Sequence, residues 1–232
     1  MKQKTVINVI LGVCAIGLLY ITYRSIMDDI DFDDEVAARE QVVKTRLLQI
    51  RDAEEAYKMQ SPDGAYCADW NTLIDFIKNG KLPVVIKEGV LSDAQMEKGL
   101  TEASAARIVN SGNQAAIAAN GLQGFRRDTT WVSLKDSLYK GLNLNYDSLR
   151  YIPFAESDTF ELIAIPNTTK SGAIIQVMEC NAPFSSYLKG MGKRGKRMIY
   201  NRTQDAEEKG VYPGLKIGEA GDGWNNNAGN WE

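Results

Sequence analysis

Between Thr5 and Tyr23 the chain runs for nineteen residues without a charge. No other stretch of the 232 residues limits the fold as strongly. At a helical rise of about 1.5 Å per residue the run is about 28 Å long, close to the hydrocarbon thickness of a bilayer. Lys2, Lys4 and the amino terminus precede it. Arg24 and then Asp28, Asp29, Asp31, Asp33, Asp34 and Glu35 follow it. This asymmetry predicts a cytoplasmic N-terminus and an exported bulk, with Tyr20 and Tyr23 at the outer interface. A cleaved signal peptide has a shorter apolar core and a small-residue cleavage site, and no A-x-A follows here. A lipoprotein signal fails too, because Val13 stands where a small residue must precede the modified cysteine. The expected division is a cytoplasmic stub at 1–4, a transmembrane helix at 5–23, an acidic junction at 24–33 and an exported domain at 34–232.

The acidic junction admits two readings. Asp29, Asp31, Asp33, Val36 and Glu40 occupy positions 1, 3, 5, 8 and 12 of an EF-hand calcium loop, where oxygen ligands at that spacing wrap one ion. Asp34 stands at the position where that loop needs glycine. In the other reading the acids flank the membrane, break the helix, and cap a second helix through Asp33 or Asp34.

From about Asp34 to Gln60 the pattern is helical. Val36, Val43, Ile50 and Tyr57 recur every seven residues, with Leu47, Ala53 and Glu54 between them. Arg39, Lys44, Arg46, Arg51, Glu55 and Lys58 supply the solvent side, so the helix reads as the spine of a domain with one buried stripe. Ser61-Pro62-Asp63-Gly64 is a turn. Trp70, Leu73, Ile74 and Ile77 then mark a compact helix, ended by Asn79-Gly80 and expected to fold back as a helical hairpin. Ser92 and Gln95 form a capping box, and the alanine-rich stretch from Thr101 to Asn120 is weakly determined. After Gly124 the period changes to two. Thr129–Leu134, Leu149–Phe154, Thr159–Ile165 and Ala173–Glu179 read as strands, the last two joined across Pro166–Gly172. The expectation is an α+β fold: a transmembrane helix, a long amphipathic helix with a helical hairpin, and one small antiparallel sheet packed on it.

Composition narrows the chemistry. The chain has no histidine and a formal net charge of -3. Ser-His-Asp and Cys-His nucleophile pairs, His-ligated metal sites and imidazole acid–base catalysis are therefore excluded. The charge gives no general case for nucleic acid. No P-loop, G-x-S-x-G elbow or C-x-x-C motif occurs, and no carboxylate pair stands out. The expectation is a protein that is not an enzyme. Cys67 and Cys180, outside the cytoplasm, are expected to form a disulfide between the helical hairpin and the sheet. Lys189, Lys193, Arg194, Lys196, Arg197 and Arg202, interspersed with glycines, read as a flexible basic loop, solvated or holding an anionic ligand such as lipid phosphate or acidic glycan. Trp224 and Trp231 lie in an Asn/Gly tail at 221–232. They must be covered, by the domain itself or by a partner.

Two resemblances carry further expectations. The apolar helix continuing into an amphipathic one, with Leu47-Leu48-Gln49-Ile50-Arg51-Asp52-Ala53-Glu54-Glu55-Ala56-Tyr57-Lys58 and Asp63-Gly64-Ala65-Tyr66, resembles type IV pilins and pseudopilins over about the first seventy residues. A prepilin carries a glutamate early in its apolar run; none lies between Thr5 and Tyr23, so the prepilin processing site is missing. Most of the chain, through Asp69-Trp70-x-x-Leu73-Ile74-x-Phe76-Ile77-Lys78, Tyr212-Pro213-Gly214-Leu215-Lys216-x-Gly218 and Asn225 to Glu232, is similar to a family of bacterial single-pass envelope proteins with no assigned activity. The resemblances imply the bacterial inner membrane, a periplasmic or exterior domain, and a structural or scaffold role among other envelope proteins or copies of itself. The contrasting expectation is a tethered binder of an anionic ligand. No cofactor is expected unless calcium binds at the acidic junction.

Overall fold

The computed structural model describes residues 2–142, 144–221 and 227–232, with side chains from Ile7 onward except that of Val9. The first element, α1 (Lys2–Gln60), is a single helix of 59 residues, about 88 Å long. In chain order there follow α2 (Trp70–Asn79), β1 (Lys81–Glu88), α3 (Asp93–Glu97), α4 (Glu102–Asn110), α5 (Gln114–Ala119), β2 (Arg126–Ser133) and α6 (Leu134–Leu138). A 3-10 turn (Tyr146–Arg150), β3 (Glu161–Thr168), β4 (Ile174–Pro183), α7 (Phe184–Tyr187), α8 (Gly192–Glu208) and β5 (Gly214–Gly218) complete the fold. The chain divides into two compact units, one of residues 1–73 and 145–232 and the other of 74–144.

The expected break at the acidic junction does not occur. Residues 18–60 contain neither glycine nor proline, and charge alone does not interrupt a helix whose backbone bonds are all internal. The helix ends where Pro62 stops it, and Gly64 turns the chain at φ 63°. Its first half is largely apolar, and from Ile10 to Tyr23 none of it is buried. Its second half is a domain helix with one buried stripe: Val36, Val43, Leu47, Ile50, Ala53, Glu54 and Ala56 are all buried.

In the larger unit this stripe packs on a three-stranded antiparallel sheet of order β3-β4-β5. The central strand β4 pairs Cys180 with Leu162 on one side and with Ile217 on the other. Met178, Cys180 and Ala182 join Phe160, Leu215, Ile217, Tyr187 and Leu188 in one core with Val36, Val43, Leu47 and Ile50. Leu149–Phe154, read from sequence as a strand, is instead the end of the 3-10 turn followed by a single bridge, Tyr151 to Thr159. The segment Gly214-Leu215-Lys216-Ile217-Gly218, not recognised as a strand, is β5. A Cβ on Gly214 would strike the carbonyl of Ala182, and one on Gly218 that of Met178, so glycines at both ends let β5 lie close against β4.

The smaller unit holds a separate two-stranded antiparallel ribbon, β1 with β2, in register from Lys81 opposite Ser133 to Glu88 opposite Arg126. Leu91, Ala105, Ile117, Leu122 and Phe125 form its small core. Ser92 and Gln95 make the anticipated capping box, and Arg127 lies over the Phe125 ring while pairing with Glu102. The expected single sheet is thus two, because Leu82–Ile86 becomes a strand that claims β2 as its own partner.

Candidate functional site

The basic stretch is not a flexible loop. Gly192–Glu208 is the helix α8, entered through Gly190 and Gly192 at positive φ. Gly195 is buried, and Met198 and Ile199 pack on the main core. Three glycines within six residues read as chain flexibility, but two of them shape the turn and the third sits buried inside the helix.

The helix α8 lies along α1. Near its start, Arg194 pairs with Asp29 at 2.5 Å, donates to the Asp28 carbonyl oxygen at 3.0 Å and stacks over Phe32 at 4.6 Å. Two turns later Arg202 pairs with Glu40 and lies 5.6 Å from the Phe184 ring centroid. Between them Arg39 of α1 pairs with Glu35 and donates to the carbonyl oxygens of Tyr187 and Lys189 at 3.2 and 3.0 Å, at the C-terminal end of α7. A guanidinium there meets the negative end of a helix. Lys189 itself pairs with Glu156. The acidic junction and the basic segment, separate features of the sequence, are each other's partners.

This arrangement replaces the calcium loop. On a continuous helix Asp29, Asp31 and Asp33 step around the axis by about 200° each time, and Glu40 lies about 16 Å from Asp29 along it. They do not converge on one ion. Asp29 and Glu40 face arginines, and among the described residues no cluster of three or more His, Cys, Asp or Glu is placed to hold a metal.

Three cations of α8 remain outside these pairs. Lys193, Lys196 and Arg197 are exposed and form no ion pair among the described residues. With Tyr200, 65% exposed, they stand at i, i+3, i+4 and i+7, one stripe opposite the face that buries Gly195 and Ala206. A cavity of about 300 Å³ opens between the helices, lined by Phe32, Asp33, Arg194, Arg197, Met198 and Arg202. Phe32, Met198 and Arg39 gave no sequence signal of this role; only their periodicity relative to α8, which needs the fold, exposes it.

A second cluster lies at the other end of the domain stripe. Glu54 is fully buried. Its Oε2 accepts from the Cys67 backbone N–H at 2.8 Å, while Oε1 has no hydrogen-bond partner. Burial pushes its carboxyl up to about 8, against the backbone bond from Cys67 and with the neighbouring Glu55 charge adding to the rise. The expected disulfide is not formed. Cys67 and Cys180 are both buried free thiols, the first donating from Sγ to the Asp69 carbonyl oxygen at 3.2 Å, and Cys14 is exposed on the apolar stretch. Burial, and then the Glu54 charge, raise the Cys180 thiol well above its ordinary range, so it is an inert neutral side chain.

Of the tail tryptophans, Trp224 lies outside the described residues. Trp231 packs on the main core with Lys44 over its ring. Asn230 clasps β5: its N–H donates to the Lys216 carbonyl oxygen at 3.0 Å, and its side chain accepts from Lys216 N–H and donates to the Gly214 carbonyl oxygen. Comparison with known protein families, curated proteins and solved structures finds no match.

Proposed function

We propose that this chain is a membrane-anchored, non-enzymatic scaffold component of a bacterial envelope assembly, with a pilin-like division of labour along one helix. The observation that carries the reading is the two-part character of α1. Of the nineteen uncharged residues, those from Ile10 onward stand unburied on the chain, and a continuous extension of the same helix is the spine of a folded domain. An exposed apolar helix of that length needs lipid or an apolar partner around it. Continuity matters mechanically, because a helix without a hinge holds the domain at a set distance from the bilayer.

The polar groups of the α1–α8 interface favour a structural role. They are paired with one another as in an internal docking surface, not left as a nucleophile beside a base. The positive-inside asymmetry orients the N-terminus to the cytoplasm and the domain to the periplasm or exterior.

The test is cross-linking in native bacterial membranes, after showing that the protein resists alkaline carbonate extraction and that its domain is cut by protease only from the outer side. Discrete cross-linked species containing a second envelope protein or a second copy are expected. A protein released by carbonate, or one that cross-links only to lipid, would overturn the scaffold reading.

A further inference from the structure

We propose that the stripe Lys193, Lys196 and Arg197 of α8 binds the phosphate groups of anionic phospholipids in the bilayer that α1 crosses, so that the domain rests on the membrane at a second point. The proposal rests on the reading of residues 5–23 as a membrane span.

The register between the two helices sets the height of α8. Arg194 grips Asp28 and Asp29, five and six residues beyond Tyr23. That is about 8–9 Å along the axis. The interfacial layer on each side of the hydrocarbon is about 5–8 Å deep. Arg202 reaches Glu40 further out, so α8 runs beside α1 in the same direction and its N-terminal turns are the end nearest the membrane. Lys193 shares a hollow with Asp28, Asp31, Phe32 and Met191 at that level. Its flexible stem lets the ammonium descend to the phosphate plane while the backbone stays docked.

The apolar surface of α1 does not stop at Tyr23. Leu19, Tyr23, Ile26 and Ile30 form one stripe at helical spacing, with Ile26 54% and Ile30 46% exposed. It lies across the helix from Phe32, over which Arg194 stacks. An interface reaching Ile30 brings the headgroup layer level with Arg194.

Charge complementarity selects the occupant. The acids of α1 repel phosphate: Asp29 and Glu35 are paired with Arg194 and Arg39 and Asp28 with Arg24, while Asp31 and Asp33 line the hollows beside Lys193 and Arg197. The stripe lies opposite the face of α8 that buries Gly195 and Ala206, with Lys193 and Arg197 also lining the hollows beside α1, and its three cations form no ion pair among the described residues. Attraction between such a cluster and an anionic leaflet acts within a Debye length, about 8–10 Å in ordinary salt. The phosphate source at that distance is the bilayer itself. A free anion or an acidic glycan would have to be drawn from solution.

The test uses the full chain in vesicles of phosphatidylcholine, with or without phosphatidylglycerol. Lysine acetylation by a water-soluble reagent is followed peptide by peptide, with exposed Lys170 and Lys209 as internal references. The expected result is roughly threefold or slower modification of Lys193 and Lys196 when phosphatidylglycerol is present, lost at high salt. Lys170 and Lys209 should not change, and in R197Q the protection of Lys193 and Lys196 should shrink while those references show the fold intact. Equal rates in both vesicles, from protein that still resists carbonate extraction, overturn the proposal and leave the anchor standing. Release by carbonate overturns the anchor and the proposal together. Equal protection by inorganic phosphate or a soluble acidic glycan over phosphatidylcholine would show a site for a dissolved anion and overturn the lipid assignment.

Discussion

Arg202 of α8 donates to Glu40 of α1 across 162 residues of sequence. Its guanidinium also lies over Phe184, so the pair joins α1, α7 and α8 at one point. The two side chains are 36% and 20% exposed, between the surface pairs that contribute little and the buried ones whose rupture strands a charge. R202M, which keeps much of the packing volume, should destabilise the domain by about 1–2 kcal/mol. A double-mutant cycle with E40Q should return a coupling of about 0.5–1.5 kcal/mol in denaturant unfolding. A coupling indistinguishable from zero would mean the helix pair is held by its apolar contacts and by Arg194 with Asp28 and Asp29, without a contribution from the Arg202–Glu40 pair.

The Glu54 carboxyl predicts a pH dependence of definite sign. Its folded-state value, about 8, lies above the ordinary 4.5, so the native state binds the proton more tightly than the unfolded chain. The stabilisation is complete below about pH 4.5 and is lost as pH rises through about 8, at up to about 1.4 kcal/mol per pH unit. The groups around it are Glu55 and Tyr57 on α1, Cys67 in the following turn and Cys180 on β4. E54Q keeps the shape and an acceptor for the Cys67 N–H but cannot ionise. The stability difference between the wild type and E54Q should therefore shift toward the variant across that window. Parallel curves from pH 5 to 8 would show that Glu54 carries no such proton.

Much of this fold was legible along the chain because local rules sufficed. The buried stripe Val36–Val43–Ile50 followed from spacing, the Ser92–Gln95 box from capping chemistry, and β2, β3 and β4 from alternation. What was not legible depended on partners far away in sequence. The acids at 28–35 looked like a break or a metal loop because nothing local reveals that Arg194 and Arg202 neutralise Asp29 and Glu40. Gly195 looked like flexibility although it lies buried inside a helix. Cys67 and Cys180 were the soluble-part cysteines, and counting cannot supply the side-chain directions that a bridge requires. Glu54 sits on the apolar stripe, and a charge at a core position is the local mark of that buried cluster.

The free thiols are directly measurable. With Cys67 and Cys180 buried, iodoacetamide should leave both unmodified in the folded protein at neutral pH, since the thiolate is the reactive form and burial suppresses it. Unfolding without any reductant should then expose both to complete alkylation. If Cys67 and Cys180 stayed unmodified in denaturant until a reductant was added, they would be bridged.

The C-terminal clasp gives the last prediction. β5 is an edge strand, and Asn230 covers it by taking the Lys216 N–H and giving protons to Lys216 and Gly214 carbonyl oxygens. Gly229 bridges Ile217 in the same run, and a Cβ there would strike the Trp231 ring, so glycine lets that indole fold back over the chain. Removing the Asn230 side chain strands the Lys216 N–H and the Gly214 carbonyl, while W231A removes apolar cover from the main core. N230A should cost about 1–2 kcal/mol and W231A about 1–3 kcal/mol, smaller than a fully buried tryptophan because the residue is only partly buried. Because the two residues share one docked segment, the double variant should lose less than the sum of the singles. Thermal unfolding of the four proteins measures this directly. Strict additivity would show that Asn230 and Trp231 hold the tail independently, and unchanged melting in all three variants would show that the tail does not stabilise the edge of the sheet.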